Sequence, residues 1–200
     1  MTVEKPFVSR AGEKLAHALR EFQYSPSGLR CADFGCNVGG FTDCLLRNGA
    51  ARVFALDTGY GILDWRLRND GRVAVMERTN ALHAPAPGPD DGGPVDLVVI
   101  DLAWTPQRLG IPAAIRWLNA APGARIISLV KPHYEVSASG GNPRKGVLEE
   151  AESQRVLDGV IATMPGLGVR VLGVTTSPIS GGAKTQGNTE YLIMLERAAG

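Results

Sequence analysis

The side chains best placed to do chemistry stand at the ends of apolar runs. Asp33 sits in Arg30–Phe34, Asp57 follows Arg52–Leu56, and Asn80 comes shortly after residues 72–76. Asp101 follows residues 95–100, and Lys131 follows residues 124–130. In an open parallel sheet, ligands bind outside the carboxyl ends of the strands, so these groups belong to a single site. Between the first two runs lies Gly35-Cys36-Asn37-Val38-Gly39-Gly40-Phe41-Thr42. Glycines there allow a tight turn and close backbone approach, and the helix that follows offers free N–H donors. A strand, a glycine turn and a helix N-terminus make a cradle for a nucleotide-type cofactor, although the same pattern also serves a plain strand–helix turn. Asp57, about 22 residues beyond Gly35, stands where an acid accepts both hydroxyls of an adenosine ribose.

Asp101 and Lys131 follow adjacent buried strands and should meet at the reactive end of that cofactor. Glu190 opens the last apolar run, and Lys14 faces inward if the first helix crosses the mouth of the site. Two lysines and two acids form a charge-balanced group suited to taking a proton from a weakly acidic hydroxyl while holding it in line. Burial and a second lysine lower a lysine pKa, while neighbouring acids raise it. On spacing alone, Lys14 and Glu190 fit surface ion pairs equally well.

The elements that must position these groups alternate. Residues 9–22 carry Leu15, Ala18, Leu19 and Phe22 at helical spacing, with Ser9 placed as cap. Helices are expected from Phe41 to about Asn48, over 62–68, over 112–119 and over 149–164. Strands are expected over 30–34, 52–56, 72–76, 95–100 and 124–130, the last running out into Lys131-Pro132-His133-Tyr134-Glu135. Residues 137–146 read as a glycine-rich loop. The last two strands, 169–175 and 190–195, have no helix between them, so they pair antiparallel. The alternation gives a doubly wound α/β fold.

A chain of 200 residues with 44% hydrophobic content makes one domain with a full core and needs no staples. A net charge of +1 excludes a generally basic nucleic-acid binder, so RNA contact must come from local groups. Arg10, Arg20, Arg66, Arg68, Arg144 and Lys145 are the candidates, with Trp65 able to stack or to fill a core. No apolar run is long enough to span a membrane. Cys31, Cys36 and Cys44 lie close together, but His17, His83 and His133 are scattered, so no metal site is expected and the thiols read as buried.

Longer blocks carry a resemblance. Phe7-Val8-Ser9-Arg10-Ala11-Gly12-Glu13-Lys14-Leu15, Gly39-Gly40-Phe41-Thr42-Asp43, Leu56-Asp57-Thr58-Gly59-Tyr60-Gly61 and Glu77-Arg78-Thr79-Asn80 are followed by Leu129-Val130-Lys131-Pro132-His133-Tyr134-Glu135, Ser177-Pro178-Ile179 and Gly187-Asn188-Thr189-Glu190-Tyr191-Leu192. In this order they resemble the TlyA family, whose FtsJ-like domain methylates ribose 2′-hydroxyls of ribosomal RNA and which carries an old hemolysin label. The resemblance implies a Rossmann-like, S-adenosylmethionine-dependent methyltransferase fold: a mostly parallel seven-stranded sheet with a C-terminal antiparallel strand. It places a Lys-Asp-Lys-Glu tetrad on Lys14, Asp101, Lys131 and Glu190. The cofactor contacts fall on Asp33, Gly35, Asn37, Gly39, Gly40, Phe41, Asp57, Thr58, Asn80 and Asp101. Family members usually begin with a small RNA-binding domain, whereas this sequence opens on the methyltransferase segment, residues 1–24 being its helical start. The turn Cys36-Asn37-Val38 and the run Asp101-Leu102-Ala103-Trp104 also depart from the family pattern. The expectation is a cytoplasmic RNA 2′-O-methyltransferase acting on ribosomal RNA or a ribosomal subunit, a separate RNA-anchoring protein being a possible partner and a membrane none. The alternatives are a methyltransferase of a small molecule or protein, and a catalytically silent cofactor-binding module.

Overall fold

The computed structural model describes residues 6–138, 147–181 and 187–198. Arg144, Lys145 and most of the loop expected over 137–146 lie outside the described residues, as does the stretch 182–186. The strands are β1 (Arg30–Phe34), β2 (Arg52–Leu56), β3 (Val73–Met76), β4 (Leu97–Ile100), β5 (Arg125–Val130), β6 (Val169–Thr176) and β7 (Tyr191–Arg197). They form a seven-stranded sheet in the order β3-β2-β1-β4-β5-β7-β6. The first five run parallel, and β7 lies antiparallel to both β5 and β6, as the missing crossover helix requires.

Successive strand residues point to opposite faces, which divides the core in two. Ala32, Phe34, Phe54, Leu56, Val98 and Ile100 face one layer, where Trp117 is fully buried. Its ring stands edge-on to Phe34 at 5.4 Å and to Phe54 at 6.0 Å, and its indole N–H is donated to the Ala84 carbonyl at 3.1 Å. Cys31, Val53, Ala55, Leu97 and Val99 face the other layer. That layer contains α1 (Ala11–Glu21) and α2 (Gly40–Arg47).

On α1, Leu15, Ala18 and Leu19 form the buried stripe, and Lys14 lies buried beside them, facing inward. The Ser9 hydroxyl does not cap this helix. Its carbonyl accepts the Gly12 N–H at 3.1 Å, while its side chain is turned against Gly40. The remaining helices are α3 (Trp65–Arg68), α4 (Gln107–Trp117), α5 (Pro132–Ala138) and α6 (Glu150–Thr163).

α3 is shorter than the expected 62–68, and two helices depart further from the sequence expectation. α4 begins at Gln107 and carries Pro112 inside, because the Glu135 carboxylate accepts the Gln107 N–H at 2.9 Å and supplies a remote cap. Residues 132–135 leave the sheet at once and form α5, with Pro132 as its first residue, where a missing N–H costs nothing.

Candidate functional site

At β1's end, Gly35 turns the chain with φ +87°, and an added Cβ would meet the Asp101 carbonyl at 2.7 Å. Glycine is required there because the end of β4 passes alongside. Across β1 on the other side, Asp57 ties the turn to the loop after β2. Its carboxylate accepts the Asn37 N–H at 2.8 Å and the Gly59 N–H at 2.8 Å. Each oxygen keeps a lone pair for a further donor. Beside it opens a cavity of about 360 Å³, lined by Asp57, Thr58, Ile62, Asn80, Leu82 and Asp101, with Gly35 and Asn37 at its base. A second cavity of about 280 Å³ shares Gly35, Asn37 and Asp101 and reaches Phe41 and Arg10 at the start of α1. The volume of the first suits a nucleoside-sized ligand.

The structure thus gathers Gly35, Asn37, Phe41, Asp57, Thr58, Asn80 and Asp101 around two adjoining cavities. Asp33, Gly39 and Gly40 line neither. A Cβ on Gly39 would collide with Leu63 and Leu67, and one on Gly40 with Ser9, the Gly12 N at 2.8 Å and Ala11. These glycines serve helix packing below the turn.

Asp33 lies away from both cavities for a different reason. Strand alternation sends its side chain to the α1–α2 layer, where it is fully buried and accepts the Thr42 hydroxyl at 2.7 Å. Its other oxygen has no hydrogen-bond partner among the described residues. Burial pushes its pKa up to about 7, the Thr42 bond opposes this, and the charge of Asp101 adds to it. Because the folded state binds this proton more tightly than the unfolded chain, Asp33 favours folding at low pH. That contribution is lost as pH rises from the unfolded carboxylate range through about 7. Asp33→Asn should remove this loss, so the variant gains on the parent as pH rises from about 4 to 8 in denaturant titrations. Parallel pH profiles of the two proteins would show that Asp33 is ionised in the fold throughout.

The sheet register assembles the tetrad. Asp101 follows β4 and Lys131 follows the neighbouring β5, while Val130 pairs with Tyr191, which puts Glu190 beside Lys131's strand end. The four close as two ion pairs. Lys131 Nζ contacts Asp101 Oδ1 at 2.5 Å and also donates to the Leu102 carbonyl at 3.3 Å. Lys14 is paired with Glu190, and both side chains are buried.

Sequence reasoning missed several residues at this mouth. Ile62 and Leu82 give the larger cavity its apolar walls. Trp104 lines it as well, 76% exposed and held at φ +56°, its ring 4.5 Å from that of Tyr134. Tyr134 in turn lies 5.6 Å from Lys131 Nζ. The signal was present as an aromatic three residues after Asp101, but nothing local set it apart from a core tryptophan.

Residues 7–197 match the family model described as FtsJ-like methyltransferase. The chain belongs to that family. It is 41% identical over 192 residues to the 16S/23S rRNA (cytidine-2′-O)-methyltransferase TlyA of Mycobacterium tuberculosis, covering 96% of this chain and 69% of that one. Hemolysin A of Brachyspira hyodysenteriae is 36% identical over 188 residues, 93% of this chain and 75% of that protein. A solved Streptococcus thermophilus structure, also carrying a hemolysin name, superposes with TM-score 0.85 at 34% identity, over 99% of this chain and 70% of the other. Magnesium protoporphyrin IX methyltransferase ChlM of Synechocystis, at 15% identity and TM-score 0.57, shares the fold over 94% of this chain and 82% of its own. The chain is therefore an FtsJ-like methyltransferase of the TlyA type, with the Rossmann-like methyltransferase fold. Among its described residues, no helix is long and apolar enough to cross a membrane.

Proposed function

We propose that this FtsJ-like chain is a cytoplasmic, S-adenosylmethionine-dependent enzyme that methylates a ribose 2′-hydroxyl of ribosomal RNA. The observation that carries the reading is the Lys131–Asp101 ion pair at the edge of a nucleoside-sized cavity. The TlyA relative's name supplies the substrate class. The cavity fits the cofactor on this chain's own terms: a carboxylate with lone pairs to spare at Asp57, apolar walls at Ile62 and Leu82, and Asn80 for the base edge. Bound there, S-adenosylmethionine supplies a methyl group already activated on a sulfonium.

What remains for the protein is to place and deprotonate a weak nucleophile. Lys131 holds the ribose hydroxyl in line and takes its proton as the methyl is transferred. Asp101 holds Lys131 in that position, and the buried Lys14–Glu190 pair fixes α1 and the start of β7 around them. Trp104, standing exposed on Tyr134 at the cavity rim, provides a flat surface for the target base.

The test is transfer of labelled methyl to ribosomal subunits and to free ribosomal RNA, with the product mapped by its resistance to alkaline cleavage. Methylation of bases, or no transfer with cofactor bound, would overturn the reading. Within that assay, Asp57→Ala should weaken cofactor binding by about 1–3 kcal/mol, the loss of a charged hydrogen-bond acceptor. Calorimetry giving an unchanged affinity would remove Asp57 from the site.

A further inference from the structure

The loop between β2 and α3 presents a second aromatic that neither cavity uses. Tyr60 is 69% exposed, although its neighbours Thr58 and Ile62 both line the larger cavity. The ring is not loose. The Arg78 guanidinium lies over it, 4.4 Å from the centroid. Arg78 itself is held in the left-handed region at φ +51°, unusual for a long side chain, and its N–H is donated to the Gly59 carbonyl at 3.0 Å. Glu77 fixes the other end of the loop, accepting the Gly61 N–H at 2.7 Å and pairing with Arg68. The result is an aromatic ring with a cation against it, a large exposed area and a braced backbone, beside the cavity's Thr58 and Ile62.

We propose that Tyr60, backed by Arg78, is a stacking platform for an unpaired nucleobase of the RNA next to the target nucleotide. This rests on the RNA reading above and adds a contact to it. A π-face offered outward suits any base, and the cation behind it strengthens the stack while favouring the phosphates on either side. Glu77 is taken up by Arg68, which leaves Arg78 as the cation against the ring. Tyr60 lies outside the cofactor cavity's lining, so the platform meets substrate and leaves the cofactor untouched.

The experiment measures binding of short single-stranded RNA by the whole chain over a range of potassium chloride concentrations. Tyr60→Ala, Tyr60→Trp and Arg78→Gln are compared with the parent, and cofactor affinity is measured beside them by calorimetry. Tyr60→Ala should raise the RNA Kd and KM by roughly 5- to 100-fold, the loss of one stacked base, with kcat at saturating RNA and cofactor affinity unchanged. Tyr60→Trp should restore binding. Arg78→Gln should weaken it and lower the salt slope by about one contact. Unchanged RNA affinity in Tyr60→Ala would overturn the proposal, as would an equal loss of cofactor affinity. Weakened binding to ribosomal subunits with free RNA unaffected would also overturn it, since the platform would then meet protein. A parent that binds RNA through Tyr60 yet transfers no methyl to it would instead overturn the function and leave the platform standing.

Discussion

Lys131→Ala should lose most of its turnover, on the order of 10²–10⁴-fold, while its cofactor affinity stays within about 1 kcal/mol of the parent. The asymmetry follows from the geometry. Asp101 lines both cavities, whereas Lys131 lines neither and reaches the site through its ion pair with Asp101 and its bond to the Leu102 carbonyl. On the mechanism proposed above, its removal withdraws the contact to the substrate oxygen and leaves the cofactor's contacts in place. Lys131→Arg should fail nearly as badly, because a guanidinium keeps its proton and spreads its donors in a fixed fork. Single-turnover methyl transfer beside calorimetry separates the two quantities. Full activity in Lys131→Ala would sink the tetrad mechanism.

Lys14→Ala should cost stability first. Its ammonium and the Glu190 carboxylate are 8% and 3% exposed, so removing one leaves the other as a buried, unpaired charge. Such losses typically run to about 3–5 kcal/mol. An inactive, half-folded variant would not reveal a role in chemistry, so the informative protein is Lys14→Met with Glu190→Leu. Two apolar side chains of similar volume should bring the unfolding midpoint back close to the parent's, since replacing a whole buried pair is often nearly neutral. Turnover should remain depressed in that folded protein. If it returned to the parental rate, the pair would be scaffold alone, and the reactive part of the tetrad would shrink to Asp101 and Lys131.

The strand ends were legible because buried runs such as Leu97–Ile100 are continuous and stop at a charge. The antiparallel pairing of β6 with β7 was legible from the missing helix. Other features depend on neighbours that no local pattern names. The start of α4 is set by a carboxylate 28 residues away at Glu135, so Pro112 misleadingly looked like the first turn. Glycines at 39 and 40 were readable as glycines that something must approach, but the something is α1 and the leucines of 63 and 67. Asp33 could have been placed from alternation alone, because it shares a face with Cys31 and opposes Ala32 and Phe34. The acids that hold Arg66 and Arg68, at 64 and 77, are equally unmarked by any local pattern.

The close passage of α1 over Gly40 bears on attempts to reshape this enzyme for bulkier methyl-donor analogues. Beneath the glycine turn, α1 packs on α2 at main-chain distance, with Gly12 facing the Gly40 carbonyl and Phe7, Ser9 and Ala11 filling the remaining space. α1 also carries Lys14, so pushing it outward would drag a member of the tetrad with it. The cavity's apolar walls at Ile62 and Leu82 lie on loops that hold none of the tetrad. Room for a larger donor is therefore to be sought by shortening those two residues, and the glycine side of the cradle is to be left alone.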